Sequence, residues 1–513
     1  MVAARPVIAL FAVRIRNFLM VSPLARPETG HGHDAQRFDA ELLDCEIEGS
    51  VPADIDGMFV RVGGEWYYPP KFADDAILHA DGYISAFRIR DGRVSYRGRF
   101  VRTPRFLSNL KAGHQQFGYY RNPFTSEPQV RDLDATVSNT APLVHAGKLF
   151  TLKEDSLPYQ IDPLTLETIG PYDFGGEYRS RTFTAHPKID PVSGEMIAFG
   201  YEATGLASEE VFLYFIDRAG KVKREVRFKV PYVSIIHDFA VTQDHVVVPF
   251  ACYTTSLERL KEGRIHWGWD SARPSMIGIM RRDGDASDMR WFKGPERCMM
   301  HTFNAYSEGN KVILHAPFYD SNFFPFFPNV DGSAWDPKRA VAYVRRLTFD
   351  LDRPGESWEE EILFPTIIGD LGKIDHRYMT LPQRYAFTNF ADPDRPSDSR
   401  FSGGRGRPLS NTYGRFDLHT GAVDRYFAGE AHSLQECSFV PRRGGTAEGE
   451  GYLIGTATNL AEGRTELIIA DAQRLAEGDL ARVHLPFRAG PQVHGYWYDA
   501  EQFDGPLPSV DGG

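Results

Sequence analysis

An all-β fold built from many short strands is what this sequence of 513 residues predicts, and three observations carry the prediction. Glycine (47) and proline (34) are plentiful and recur, with Asp and Asn, between short apolar runs, which is how turns punctuate strands. Several runs alternate apolar and polar residues around two-residue turn signals. Helical periodicity is scarce, and the best short helix candidate is DAQRLAEG at 471–478.

In chain order, residues 1–40 read as an N-terminal extension and 41–513 as one domain. The segment GYISAFRIRDGRVSYRGRFVRT (82–103) is a hairpin signal, two alternating runs around Asp91-Gly92. KLFTLKEDSLPYQIDPLTLETIG (148–170) repeats the theme around a turn with Pro and Asp. EMIAFGYEA, VFLYFIDRAGKVKREVRFKV, DHVVVPFA, KVILHAPF and YLIGTATNL add further short strands. No low-complexity linker divides them. Many short strands at even spacing suggest four-stranded sheets repeated around an axis, a β-propeller. The repeats share no signature, so a pair of β-sandwiches remains the competing architecture.

Composition narrows the function. The net charge is −11 with a pI near 5.8, and no dense Lys/Arg stripe is present, which argues against nucleic acid as a partner. Cys45, Cys252, Cys298 and Cys437 lie far apart without a CxxC pair, which favours a reducing, cytoplasmic compartment over a disulfide framework. The apolar stretch at 7–24 is interrupted by Arg14, Arg16 and Asn17 and is short for a membrane span. A packed or loose extension is the favoured reading there; contact with a membrane surface ranks second and export third.

Sixteen histidines are present, and four stand out by context: His186 in TFTAHPKIDPVSGE, His237 in VSIIHDFAVT, His301 in CMMHTFNAYS and His494 in PQVHGYWYDA. Each sits near the end of an apolar or aromatic run, the place from which a strand end presents a side chain to a pocket. Read singly, each is more simply an ordinary core or surface histidine. The intervals between them match no local metal motif, and HExxH is absent. They make sense as ligands only if separate blades meet on one axis.

The four segments resemble the iron-binding segments of the carotenoid cleavage oxygenase family: HPKIDPVSGEM its first histidine motif, IIHDFAVT its second, HTFNAY its third and VHGYWY its last. FVRVGGEWYYPP and HADGYISAFRI resemble its N-terminal region, and the similarity runs over about residues 42–500. The resemblance implies a seven-bladed β-propeller capped by loops and short helices that form a substrate tunnel. It implies one Fe(II) per chain on His186, His237, His301 and His494, with O2 as co-substrate. Four neutral imidazoles suit a borderline metal, and each needs an acceptor on its other ring nitrogen. The resemblance puts those acceptors at Glu154, Asp370 and Glu436. Relatives carry Glu at the Asp370 place; Asp is one methylene shorter, so its hydrogen bond is open between direct, water-bridged and absent.

Within the family, TLKEDSLPYQIDPLTLETIG is most similar to the lignostilbene dioxygenases and resveratrol-cleaving enzymes, which cut the central double bond of a 4-hydroxystilbene into two aromatic aldehydes, a step in the breakdown of lignin-derived aromatics. The resemblance implies that Tyr120 and Lys153 bind the substrate's 4-hydroxyl, with Tyr119 the rival of Tyr120. A nearby ammonium favours phenolate, which pushes electron density onto the olefin and readies it for O2. Leu78 stands where relatives place an aromatic, and Ala80 and Tyr83 replace the usual Gly and Met, so the pocket is expected to differ in shape. The expected partner is a small hydroxystilbene, with oligomerisation left open. A carotenoid or apocarotenoid oxygenase is the alternative within the family; a non-catalytic propeller that binds partners on its rim is the alternative outside it. The aromatic segment DSNFFPFFPN (320–329) is read as the tunnel lip rather than a protein-contact patch.

Overall fold

The computed structural model describes residues 37–401 and 407–510. Most of the expected extension, including the apolar stretch at 7–24, lies outside the described residues. Among the described residues no helix is long and apolar enough to cross a membrane.

Seven antiparallel sheets stand around a central axis as the blades of a propeller, and a two-stranded ribbon, Tyr253–Thr254 with Gly268–Trp269, sits apart from them. In chain order the blades hold five, four, four, four, four, three and five strands. Their formation follows from the sequence pattern. Middle strands are sandwiched between neighbouring blades and are apolar on both faces, as in Glu210–Ile216, where six successive residues are buried. Outer strands mix buried and exposed positions, as in Val222–Lys229. The hairpin expected at 82–103 is present as Asp81–Arg90 paired with Arg93–Phe100. Its turn residues Asp91 and Gly92 have φ of 51° and 77°, the left-handed pair a tight hairpin needs.

Seven apolar clusters fill the seven junctions between blades. The junction of first and last blades, for example, joins Phe59 and Phe87 to Ile454, Leu467 and Val483. The ring is closed from both chain ends. Strand His494–Asp499 pairs with Gly57–Glu65 in the first blade, and Glu46–Gly49 pairs with Asp479–His484 in the last.

Helix is sparse, but not where the sequence suggested it. Residues 471–478 form a single 3-10 turn, Leu475–Glu477, between the paired strands Arg464–Asp471 and Asp479–His484. The run is too short to pay for helix nucleation once sheet pairing claims both flanks. Among the described residues the longest α-helix instead spans Pro104–Ala112 in the cap. Thr103 accepts from the Phe106 amide as its N-cap, proline opens it, and Gly113 ends it at φ 74°.

Candidate metal centre and substrate cavity

Three of the four singled-out histidines lie just before the first strand of their blades: His186 before Lys188–Ile189, His237 before Ala240–Val241, and His301 before Asn304–Glu308. His494 opens the closing strand. All four therefore emerge at the same end of the axis, and their ligand nitrogens lie within 4.8 Å of one another. Asp238 ties three of these segments together. It pairs with Lys188 at 2.7 Å and accepts from the Thr302 amide at 2.7 Å and hydroxyl at 2.9 Å.

Three of the four imidazoles meet a carboxylate. His237 Nδ1 meets Glu154 Oε1. His301 Nδ1 lies 2.9 Å from Asp370 Oδ1, and His494 Nδ1 lies 3.0 Å from Glu436 Oε1. The Asp370 contact is thus direct, despite the shorter side chain. Its second oxygen accepts from Tyr319 Oη at 2.9 Å, and the Leu371 amide donates to the first at 2.9 Å. Among the described residues His186 has no carboxylate on its ring. Glu436 reaches the centre through a β-bulge: pairing with the neighbouring strand slips between Leu434 and Cys437, so the bulge turns this stretch inward. Fully buried Arg61 braces it, donating to the Glu436 carbonyl at 2.7 Å and to Gln435 Oε1 at 2.9 Å.

These contacts test whether a metal fits. With Nδ1–H of His237 and His301 donated to carboxylates, both Nε2 atoms carry lone pairs. Yet they face each other at 3.1 Å, and His186 Nε2 lies 3.2 Å from that of His237. His494 Nε2 is buried with no hydrogen-bond partner at all. A converging set of lone pairs without protons is stable only around a cation, and an all-imidazole set suits a borderline transition metal. Burial, with the other three imidazoles, holds His186 well below the ordinary histidine value; burial also lowers His494, to about 4. Both imidazoles are therefore neutral. Burial alone would lower His301, but Asp370 outweighs it and raises it. Burial alone would raise Glu154 and Glu436, but the first is held at about 2 by His237, Lys153 and Tyr201, the second by Lys373 and His494.

Two cavities meet here. One of about 350 Å³ runs along the axis to His186, His301 and His494. The other, about 470 Å³, opens on the cap side onto His237 and His301, within the size range of small-molecule sites. The cap-side cavity is lined by Leu78, Tyr120, Lys153 and the aromatic residues Phe323, Phe324, Phe326 and Phe327. The segment read as a tunnel lip therefore does line the cavity.

Tyr120 and Lys153 are brought together: Lys153 Nζ lies 5.0 Å from the centre of the Tyr120 ring and donates to the Leu78 carbonyl at 3.0 Å. Asn139 donates to that same carbonyl at 3.0 Å and to that of Ala80 at 2.8 Å, pinning the Leu78 turn. Burial lowers Lys153 and raises Tyr120 well above 10, so the tyrosine stays a neutral hydroxyl. Tyr119 points elsewhere, with its hydroxyl on Asp74 at 3.1 Å and its ring stacked on Phe72. Strand alternation would set Lys153 and Glu154 on opposite faces, but the strand Lys148–Leu152 has ended, and both line the cavity with different partners. Sequence reasoning missed Arg121, Tyr201, Glu202 and Lys373. Each works through contacts between distant segments, which no local pattern announces.

A family model for the retinal pigment epithelial membrane protein matches residues 33–499. The chain is 37% identical to lignostilbene-alpha,beta-dioxygenase isozyme III of Sphingomonas paucimobilis, covering 91% of this chain and 96% of that one. It is 39% identical to isoeugenol monooxygenase of Pseudomonas putida, covering 90% and 95%. The crystal structure of Pseudomonas brassicacearum lignostilbene dioxygenase superposes with a TM-score of 0.89 at 36% identity, over 93% of this chain and 99% of that one. Propeller, histidine cluster and whole-length similarity agree, and the chain belongs to the carotenoid cleavage oxygenase family of non-haem iron oxygenases.

Proposed function

We propose that this protein cleaves the central double bond of 4-hydroxystilbenes with O2, giving two aromatic aldehydes, at one Fe(II) held by His186, His237, His301 and His494. The observation that carries the reading is the pairing of Lys153 and Tyr120 in a largely apolar cavity that ends at the histidine cluster. The iron, when bound, supplies the redox chemistry that engages O2. Lys153 and Tyr120 hold the 4-hydroxyl, and the buried ammonium favours its phenolate, whose charge spreads onto the olefin. The Phe323–Phe327 lip and Leu78 exclude water around the rings. Glu154, Asp370 and Glu436 fix the tautomers of three ligands. Three related proteins that bear oxygenase names support the enzyme reading over a non-catalytic rim binder. Four buried, unpaired cysteines support a reducing cytoplasmic setting.

A second reading is favoured by one observation. Leu78 leaves more room than an aromatic would, and one relative acts on isoeugenol, which is also a phenol conjugated to an olefin. The deciding experiment is product analysis of the Fe(II)-loaded protein against 4-hydroxystilbenes, 4-methoxystilbene, isoeugenol and an apocarotenoid. Paired aromatic aldehydes from the hydroxystilbenes, with the methoxy compound poor, are expected. Equal cleavage of the methoxy compound, or retinal-type products, would overturn the assignment. Short turnover under labelled O2 separates a dioxygenase, which labels both aldehydes, from a monooxygenase, which labels one.

A further inference from the structure

Arg121 follows Tyr120 directly and is buried, with its backbone in the left-handed region at φ 54°. A non-glycine residue persists there only where its surroundings over-determine it. The surroundings here do. His266 Nδ1 lies 3.0 Å from the Arg121 carbonyl, and the guanidinium pairs with Glu202, whose other oxygen lies 3.1 Å from His266 Nε2. The free edge of the fork then has two tasks. It donates to Tyr201 Oη at 3.0 Å and to the Glu154 carbonyl at 3.3 Å. Tyr201 in turn donates to Glu154 Oε2 at 2.7 Å, while Glu154 Oε1 holds His237. Anchoring Arg121 at its carbonyl and its guanidinium also fixes the backbone of Tyr120, the residue before it. On its other side, the Tyr120 amide donates to Asp75 Oδ1 at 3.0 Å.

We propose that Arg121 is a positioning residue that serves both halves of the site, fixing Tyr120 against the substrate and, through Tyr201 and Glu154, fixing the His237 ring against the metal. The inference rests on the iron and phenol reading above. A planar fork presents its donors in fixed, separated directions, so it can hold Glu202 on one side and Tyr201 and a carbonyl on the other, a spread that a point-like ammonium does not fix. The two arms predict different behaviour for two variants. Tyr201→Phe frees Glu154 Oε2 and one donor of the fork but leaves Arg121 anchored on Glu202. Arg121→Gln loosens both arms.

The test is anaerobic titration of the metal-free full chain with Fe(II), together with kcat/KM for 4-hydroxystilbene and 4-methoxystilbene on the loaded protein. Tyr201→Phe should weaken Fe(II) binding by about tenfold or more, the usual weight of such outer partners. It should keep the preference for the hydroxy compound. Arg121→Gln should weaken Fe(II) binding similarly and also cut that preference by about tenfold. If Arg121→Gln does not fold, Glu202→Gln releases the same fork and should show both losses. Wild-type Fe(II) affinity in Tyr201→Phe, or an intact preference in the fork variant, would overturn the proposal. His237→Ala and Lys153→Met are run beside them. If His237→Ala binds Fe(II) like wild type, or Lys153→Met leaves the preference unchanged, the reading of the site falls and the inference falls with it. If both controls behave as expected, failure of the Tyr201 and Arg121 variants counts against the inference alone.

Discussion

The ammonium of Lys153 has one hydrogen-bond acceptor among the described residues, the Leu78 carbonyl at 3.0 Å, so two of its three protons remain for a ligand. Burial already makes its charge costly, and a phenolate would repay that cost where a neutral ether would not. Lys153→Met should therefore cut turnover of 4-hydroxystilbene by about 100-fold or more while leaving Fe(II) content at wild-type level, as read by metal analysis beside steady-state rates. Asp370 argues in the opposite direction. Both its oxygens are engaged, one by His301 and one by Tyr319, so the missing methylene leaves the contact intact. Asp370→Asn keeps the shape but removes the charge behind His301. It should weaken Fe(II) affinity by about tenfold in an anaerobic titration, and an unchanged affinity would remove Asp370 from the outer shell.

At the scale of elements, the cap helix Pro104–Ala112 carries Arg105, whose guanidinium reaches the carbonyl of His79 at 3.0 Å, inside the turn that presents Leu78. Removing its cap with Thr103→Ala should cost about 1 kcal/mol of stability, seen as a lower denaturation midpoint. The four-histidine cluster should be untouched. This helix shows what the sequence leaves illegible. Its Thr-Pro start and glycine stop are both present, yet nine residues offer too little periodicity to stand out among strands. The Asp91-Gly92 hairpin was legible because its turn chemistry is local. The four histidine segments were legible as motifs, and their convergence follows from their shared place before or at the start of inner strands. The bulge that turns Glu436 inward, and the Arg121–Tyr201–Glu154 relay, depend on pairings between distant strands and loops. No window of sequence contains them.

Over the whole molecule, buried ionisable groups set a common response to acid. Burial holds His315 at about 3 and His376 at about 4, against an ordinary 6.5. Below pH 6.5 the unfolded chain takes up protons that the folded chain refuses, so stability falls as pH drops through that window. Glu202 is held at about 2 by Arg121 and His266 against the rise burial would cause, from an ordinary 4.5. Its contribution is complete above 4.5 and is lost between there and about 2. Melting temperature of the metal-free protein should thus begin to fall below about pH 6.5 and fall more steeply below about 4.5. A flat profile across pH 4 to 6 would contradict this. Fe(II) at about 100 times its Kd should add about 2.7 kcal/mol at neutral pH, read as a raised melting temperature.

The double closure of the ring also orders events in time. A chain leaving the ribosome presents His186, His237 and His301 with five, four and three blades still to come, whereas His494 lies on the strand that completes the first blade. The fourth imidazole joins the other three only when His494–Asp499 zips onto Gly57–Glu65. On the proposed four-histidine reading, the ligand set is complete only in a chain long enough to include this closing strand.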